Sequence, residues 1–252
     1  MKLFADAGNS RLKLRMGRHG SVHAIPWRDL DDEAVAAELA AFLAEHSRPD
    51  GLVCCAPVPE AQQARLQALL AGVLPDVEVS WLKVHRRKGG VRPAYEDPAR
   101  FGVDRYVALL AARAKHRNQA VIVLDLGTAV TIDAMDRGGR HLGGLILPGL
   151  AMLGDVLRAR LPQLDSQGEA TGSLPEDLLL PVTTEDAVAL GTHAFYVGGI
   201  EQIVADLLPR MEAEPVILAC GGDAPVFCRA TGLDVEHQPN LVLDGMVLAA
   251  QR

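Results

Sequence analysis

Aromatic side chains make up only 4% of the 252 residues, too few for a surface on which nucleic-acid bases stack. Positive charge is also short. Against 32 Asp and Glu stand 25 Lys and Arg, a formal net charge of -7, which argues against a bulk electrostatic partner such as nucleic acid. The four cysteines, Cys54, Cys55, Cys220 and Cys228, form no C-x-x-C pair and join no Cys/His set with zinc spacing. They are expected as buried free thiols in a reducing cytosol. No apolar run approaches the roughly 18 residues that a membrane span needs. The chain enters a strand at once, without the basic flank and apolar core of a secretory signal, so a soluble cytoplasmic protein is expected. Signature loops are missing too. There is no G-x-x-x-x-G-K-[ST] phosphate loop, no G-x-G-x-x-G opening a helix after a strand, no G-x-S-x-G elbow and no H-E-x-x-H.

What remains is ordinary globular material, 49% hydrophobic and 23% charged, with length for one large domain or two modest ones. The organising stretch is residues 121–133, VIVLDLGTAVTID. An apolar, β-branched run meets Asp125 and Gly127, then Thr128 to Asp133 alternate as a half-buried returning strand would. Gly127 would let backbone N–H groups approach an anion, and Thr128 offers a hydroxyl. Asp125 would repel bare phosphate, so its natural partner is a cation that also contacts phosphate. An ordinary tight hairpin accounts equally for this segment alone. A second copy of the pattern tips the balance: residues 3–13, LFADAGNSRLK, again run from a strand into Asp6, Gly8 and a small polar pair, Asn9 and Ser10. A repeat over half a chain suggests duplicated lobes, with a nucleotide in the cleft between them.

Between the hairpins, periodicity predicts helices over about 31–43 and 60–74 and short strands over 52–56 and 77–84. Residues 83–92, KVHRRKGGVR, read as a solvated basic loop or as a flap offering charge to an anionic ligand. Tyr95 follows on that connection, as a loop anchor or a ligand contact. Asp97-Pro98 carries the signature of a helix start. In the helix that follows, Val103, Val107, Leu110, Ala111 and Ala114 form the buried stripe. Asp104 and Arg105 lie off it, as a surface ion pair or as a carboxylate and a guanidinium aimed at a ligand, with Gly102 leaving space beside them. The polar run 115–119 marks a lobe boundary, giving an N-terminal lobe over 1–117 and a C-terminal lobe over 118–252, the last helix packing across.

In the second half, 150–160 reads as helix, 163–183 as irregular, and 185–207 as a long helix capped by Thr183 or Thr184. The strand 216–220 runs into Gly221-Gly222-Asp223, a plain turn or a place where backbone meets a purine or ribose. Residues 241–245 lead into a last helix, 246–251. Strand and helix alternate in both halves, so the fold class is α/β.

Taken in order, Asp6-Ala7-Gly8-Asn9-Ser10, Gly102-Val103-Asp104-Arg105, Asp125-Leu126-Gly127-Thr128-Ala129 and Gly221-Gly222-Asp223-Ala224 closely resemble the type III pantothenate kinases, nearly end to end. That family belongs to the actin, acetate-kinase and sugar-kinase superfamily. The resemblance implies two duplicated ribonuclease H-like lobes with ATP between them, and a homodimer. It implies phosphorylation of pantothenate to 4'-phosphopantothenate, the opening step of coenzyme A synthesis. By that resemblance Asp6, Ala7, Gly8, Asn9, Ser10, Arg11, Leu12 and Lys13 form an ATP-phosphate loop, and Asp6 helps hold Mg2+ through water. Thr128 contacts ATP phosphate, and Gly221 and Gly222 flank the adenosine. Gly102, Val103, Asp104 and Arg105 contact pantothenate, with Asp104 as proton acceptor, and Tyr95 and Thr184 line the same pocket. Asp125 is implied as the ligand of a monovalent cation, K+ or NH4+. Where the family often has Asn before the substrate threonine, this chain has Thr183, which leaves Thr183 and Thr184 both open. Two other functions share parts of the pattern: a different small-molecule kinase of the superfamily, and a non-catalytic transcriptional accessory relative.

The residue types suit phosphoryl transfer on their own chemistry, because that reaction needs positioning and charge neutralisation more than covalent help. A carboxylate such as Asp104 can accept a hydroxyl proton as the new bond forms. A guanidinium such as Arg105 can fix an anionic substrate or the transferring group.

Overall fold

The computed structural model describes residues 1–161, 164 and 180–251. Most of the irregular stretch expected over 163–183 lies outside the described residues. Two five-stranded sheets carry the chain. The first joins β1 (Lys2–Ala7), β2 (Leu12–Met16), β3 (Val22–Ile25), β4 (Gly51–Cys55) and β5 (Val79–Trp81) in the order β3-β2-β1-β4-β5. The second joins β6 (Val121–Leu126), β7 (Ala129–Met135), β8 (His141–Pro148), β9 (Val216–Cys220) and β10 (Val235–His237) in the order β10-β9-β6-β7-β8. Read from the other edge, the second order is β8-β7-β6-β9-β10, and it repeats the first strand for strand. The repeated Asp-x-Gly turn therefore follows the central strand of each sheet.

Chain contacts divide the molecule into two units: 1–121 with 133–143 and 240–252, and 122–132 with 144–239. In the first unit β1 pairs antiparallel with β2 and parallel with β4. The helices α1 (Asp32–Ala44) and α2 (Glu60–Val73) supply Val35, Leu39, Phe42, Leu66, Leu69 and Leu70 to the same buried cluster as Leu3, Leu14 and Leu52. Asp31 caps α1 by accepting the Ala34 N–H at 2.8 Å, as an acidic N-cap should.

Two helices differ from the periodicity reading. Asp97-Pro98 does cap a turn, but it is a separate 3-10 turn over Pro98–Arg100. The helix α3 starts afresh at Val103, with Gly102 as its N-cap, and runs to Lys115. Its buried side is no narrow stripe, because every residue from Arg105 to Ala112 is buried. The last helix, α7 (Leu241–Ala249), begins five residues earlier than expected and packs on both α3 and β1. The last helix is covered on more than one side and so lacks the amphipathic period by which helices are recognised, whereas α3 keeps its period and differs in where it starts. Arg15 Nη1 donates to Asp244 at 2.8 Å and ties α7 to β2.

The basic loop closes on itself through an antiparallel bridge between Lys88 and Val91. The Lys88 ammonium donates to the Ala249 carbonyl at 2.6 Å, capping the C-terminal end of α7 where a cation is favoured. In the second unit lie α4 (Leu150–Arg160), α5 (Thr184–Leu207) and the short α6 (Ala224–Ala230). Among the described residues no helix is long and apolar enough to cross a membrane.

Candidate functional site

In the first unit the Asp6–Lys13 segment is a tight hairpin. Gly8 N–H donates to the Arg11 carbonyl at 3.0 Å, and the Gly8 carbonyl accepts the Trp27 indole N–H at 2.9 Å. Asp6 sits opposite Lys13 in the β1–β2 register and is buried. Asn9 and Arg11 are exposed at the tip. The strands are held by the apolar cluster beneath, which leaves the turn's polar groups at the end of the sheet.

The first turn of α3 carries Asp104 and Arg105. A β-carbon on Gly102 would stand 2.6 Å from Asp104 Oδ1, so the bare N-cap glycine makes room for that carboxylate. An acid there is also favoured by the helix dipole. Arg105 is buried, and its partner is Asp133 of β7: Nε donates to Oδ2 at 2.8 Å and Nη2 to Oδ1 at 2.7 Å. The surface ion pair is thus overturned for Arg105. Burial opposes its charge, but the hydrogen bonds and charge of Asp133 outweigh that, and the guanidinium is held above its ordinary pKa.

Tyr95 closes the group. Its hydroxyl accepts from Arg105 Nη1 at 3.3 Å. Its ring stacks on Phe101 with centroids 4.8 Å apart, and Phe101 stacks on His141 at 4.8 Å. The Arg105 guanidinium carbon lies 5.0 Å from the Phe101 centroid. The connection is pinned to the edge of β8, where His141 N–H donates to the Arg92 carbonyl at 2.9 Å. Tyr95, Gly102, Asp104 and Arg105 thereby share one neighbourhood. Sequence reasoning did not single out Asp133, His141 or Phe101. The available signal was an acid and a histidine in largely apolar strands.

In the second unit Gly127 N–H donates to the Ala129 carbonyl at 3.2 Å, which makes the Asp125–Ala129 turn tight. Thr128 is exposed at its tip and Asp125 is half-buried. Gly149 N–H donates to the Thr128 carbonyl at 3.1 Å. Gly221 has φ +94°, and a side chain there would run into the Leu126 backbone. Asp223 N–H donates to the Leu126 carbonyl at 2.8 Å. The Gly221-Gly222 turn and the second hairpin are therefore one assembly. Tyr196 of α5 points a buried hydroxyl, without a hydrogen-bond partner among the described residues, at this region. Burial raises its pKa first, and the charges of Asp223 and Asp125 raise it further.

Thr183 is the N-cap of α5. Its hydroxyl accepts the Asp186 N–H at 3.2 Å and donates to the Asp186 carboxylate at 2.7 Å. Thr184 is the exposed first residue of the helix.

Comparison with known proteins gives these arrangements a family. The model of the type III pantothenate kinases matches residues 2–206. The type III pantothenate kinase of Thiobacillus denitrificans is 34% identical over 253 residues, covering 99% of this chain and 96% of the relative. Among solved structures, a protein of Campylobacter jejuni described as a Baf family transcriptional activator superposes with a TM-score of 0.60 at 21% identity, covering 98% of this chain and 96% of that one. A Sinorhizobium meliloti protein described as a 2-dehydro-3-deoxygalactonokinase superposes with a TM-score of 0.59 at 18% identity, covering 99% and 98%. At such identities the structural likeness establishes only a shared fold. The sequence likeness goes further, and the chain belongs to the type III pantothenate kinase family, enzymes that phosphorylate pantothenate in coenzyme A biosynthesis.

Proposed function

We propose that Asp104 accepts the proton of pantothenate's primary hydroxyl while that oxygen bonds to the terminal phosphorus of ATP and the bond to the ADP oxygen breaks. The products are 4'-phosphopantothenate and ADP. The observation that carries this assignment is the first turn of α3, where Gly102 leaves space for the Asp104 carboxylate and Arg105 is fixed beside it by Asp133. A base and a clamp on one rigid helical turn suit a substrate with a hydroxyl at one end and a carboxylate at the other. Arg105 takes the carboxylate, and Tyr95 and Thr184 line the acceptor. Thr184 is preferred over Thr183 because the Thr183 hydroxyl is engaged with Asp186.

A kinase of this family uses ATP with a divalent metal. The hairpin Asp6–Lys13, with Thr128, takes the ATP phosphates, and Gly221 and Gly222 flank the adenosine. Among the described residues no three His, Cys, Asp or Glu gather as a metal cage. Asp6 would help hold Mg2+ there, through water. Such an ion would supply charge neutralisation at the phosphates. Asp125 would hold a monovalent cation, K+ or NH4+, whose charge would offset the two carboxylates that act on Tyr196.

A homodimer is supported by apolar surface on three elements of the second unit. Leu145 and Ile146 on β8, Met152, Val156 and Leu157 on α4, and Phe195 on α5 are all exposed. A cytoplasmic location fits an enzyme of coenzyme A biosynthesis.

The test is ADP release with and without pantothenate, alongside the Asp104→Asn variant. We expect pantothenate-dependent release that the variant abolishes while it still folds and binds ATP. Equal release without pantothenate would remove the substrate assignment, and near-normal turnover in Asp104→Asn would remove the base.

A further inference from the structure

We infer that Asp133 and His141 are positioning residues for Arg105, and that they set the preference for an acceptor with a free carboxylate over a neutral one. The inference rests on the reading that Arg105 receives the pantothenate carboxylate.

A guanidinium has five N–H donors in one plane. In Arg105, Nε and one hydrogen of Nη2 go to the two oxygens of Asp133, at 2.8 and 2.7 Å. One hydrogen of Nη1 goes to the Tyr95 hydroxyl at 3.3 Å. Among the described residues one hydrogen on each terminal nitrogen is left over, and the two can meet a carboxylate in two-pronged fashion across the outer edge. Phe101 lies against the plane at 5.0 Å. The paired side edge and the stacked face together remove the rotations that would spoil the outer edge.

Asp133 is held in turn. Its Oδ1 accepts from His141 Nε2 at 2.8 Å. His141 Nδ1 accepts the Ala94 N–H at 3.4 Å, which places the ring proton on Nε2. Asp133 and His141 are 2% and 0% exposed, so bulk water does not reach either group in the folded protein. The order of support runs from Ala94 through His141 and Asp133 to Arg105, and only Arg105 meets the substrate. An asparagine at 133 keeps one acceptor oxygen but turns an N–H donor toward a neighbour that is itself a donor. The guanidinium must then swing from its plane.

The test compares pantothenate with its neutral N-methyl amide, by steady-state kinetics, in the wild type and in Arg105→Gln, Asp133→Asn, His141→Leu and His141→Gln. Folding is checked by circular dichroism and thermal melting. We expect Asp133→Asn and His141→Leu to raise KM for pantothenate at least tenfold, with kcat within about threefold and KM for ATP unchanged. The ratio of kcat/KM between acid and amide should fall at least tenfold. His141→Gln, which keeps a donor for Asp133, should recover most of that ratio and keeps the test open if Asp133→Asn does not fold. Equal losses on acid and amide in the folded variants would mean a merely structural role and would overturn the inference. If Arg105→Gln keeps the wild-type preference, the reading of Arg105 itself fails. If Arg105→Gln loses it while Asp133→Asn and His141→Leu keep it, only the inference made here fails.

Discussion

Gly245 of α7 lies against the carbonyl of Val107 on α3, with no space between them for a methyl group. The two helices cross at this point, and α7 also packs on β1, the strand that leads into the Asp6 hairpin. The neighbour is backbone, so it cannot rotate aside as a side chain would. Gly245→Ala should therefore separate α3 from α7 and destabilise the protein by roughly 3 kcal/mol or more. Urea unfolding checks this. A change below about 1 kcal/mol would mean that the crossing is looser than described.

Gly102 gives the opposite kind of outcome. Its φ is -56°, which alanine adopts without strain. The new methyl group would meet the Asp104 carboxylate, 2.6 Å away, and that group can turn aside. Gly102→Ala should leave stability within about 1 kcal/mol while displacing the carboxylate assigned as proton acceptor. A misplaced catalytic group costs up to about a hundredfold in rate. Thermal melting with kcat measurement separates the two effects, and unchanged kcat would argue that Asp104 is not the base.

The two hairpins were legible because their signals are local. Just after Asp6, Gly8, Asn9 and Ser10 break the buried run of β1 and β2, and Gly127 and Thr128 do the same after Asp125. Duplication of the sheet was legible for the same reason, since the central strand of each half ends in that turn. The start of α3 was not. Asp97-Pro98 is a strong start signal, and the chain spends it on a 3-10 turn before Gly102 opens the helix. The start of α7 was hidden because Leu241, Val242 and Leu243 are all buried, so apolarity carries no period. The setting of Arg105 was beyond local reading, since Asp133 lies 28 residues away and only the fold unites them.

Thiol chemistry gives a further expectation. Cys54, Cys55 and Cys220 are buried and Cys228 is half-buried. Burial pushes the Cys54 thiol up to about 12. At pH 8 a thiol reagent should modify Cys228 first and reach the others only as the protein unfolds. The raised value also fixes the sign of a pH effect. Between the ordinary thiol value of about 8.5 and about 12, the unfolded chain loses the Cys54 proton and the folded one keeps it. Stability is therefore full below that window and falls as pH rises through it, by up to about 1.4 kcal/mol per pH unit. Cys54→Ala should remove this part of the slope in alkaline unfolding curves. An unchanged slope would show that another group sets it.

Tyr196 offers a test within the second unit. Its hydroxyl is buried without a hydrogen-bond partner among the described residues, and the charges of Asp223 and Asp125 both act on it. An unsatisfied buried hydroxyl costs about 1–3 kcal/mol that its hydrogen-bonded counterpart does not. If packing alone explains the side chain, Tyr196→Phe should be neutral or stabilising by about 1 kcal/mol, because the ring stays and the stranded oxygen goes. The edge-on contact with Phe227, 6.5 Å between centroids, needs no hydroxyl. Melting with and without K+ distinguishes packing from a role near the cation proposed at Asp125. We expect the variant to match or exceed the wild type without K+, and to gain the same increment when K+ is added. A loss of that increment would bring the Tyr196 oxygen into the cation site, whereas a loss of stability in both conditions would show that the hydroxyl has a partner after all.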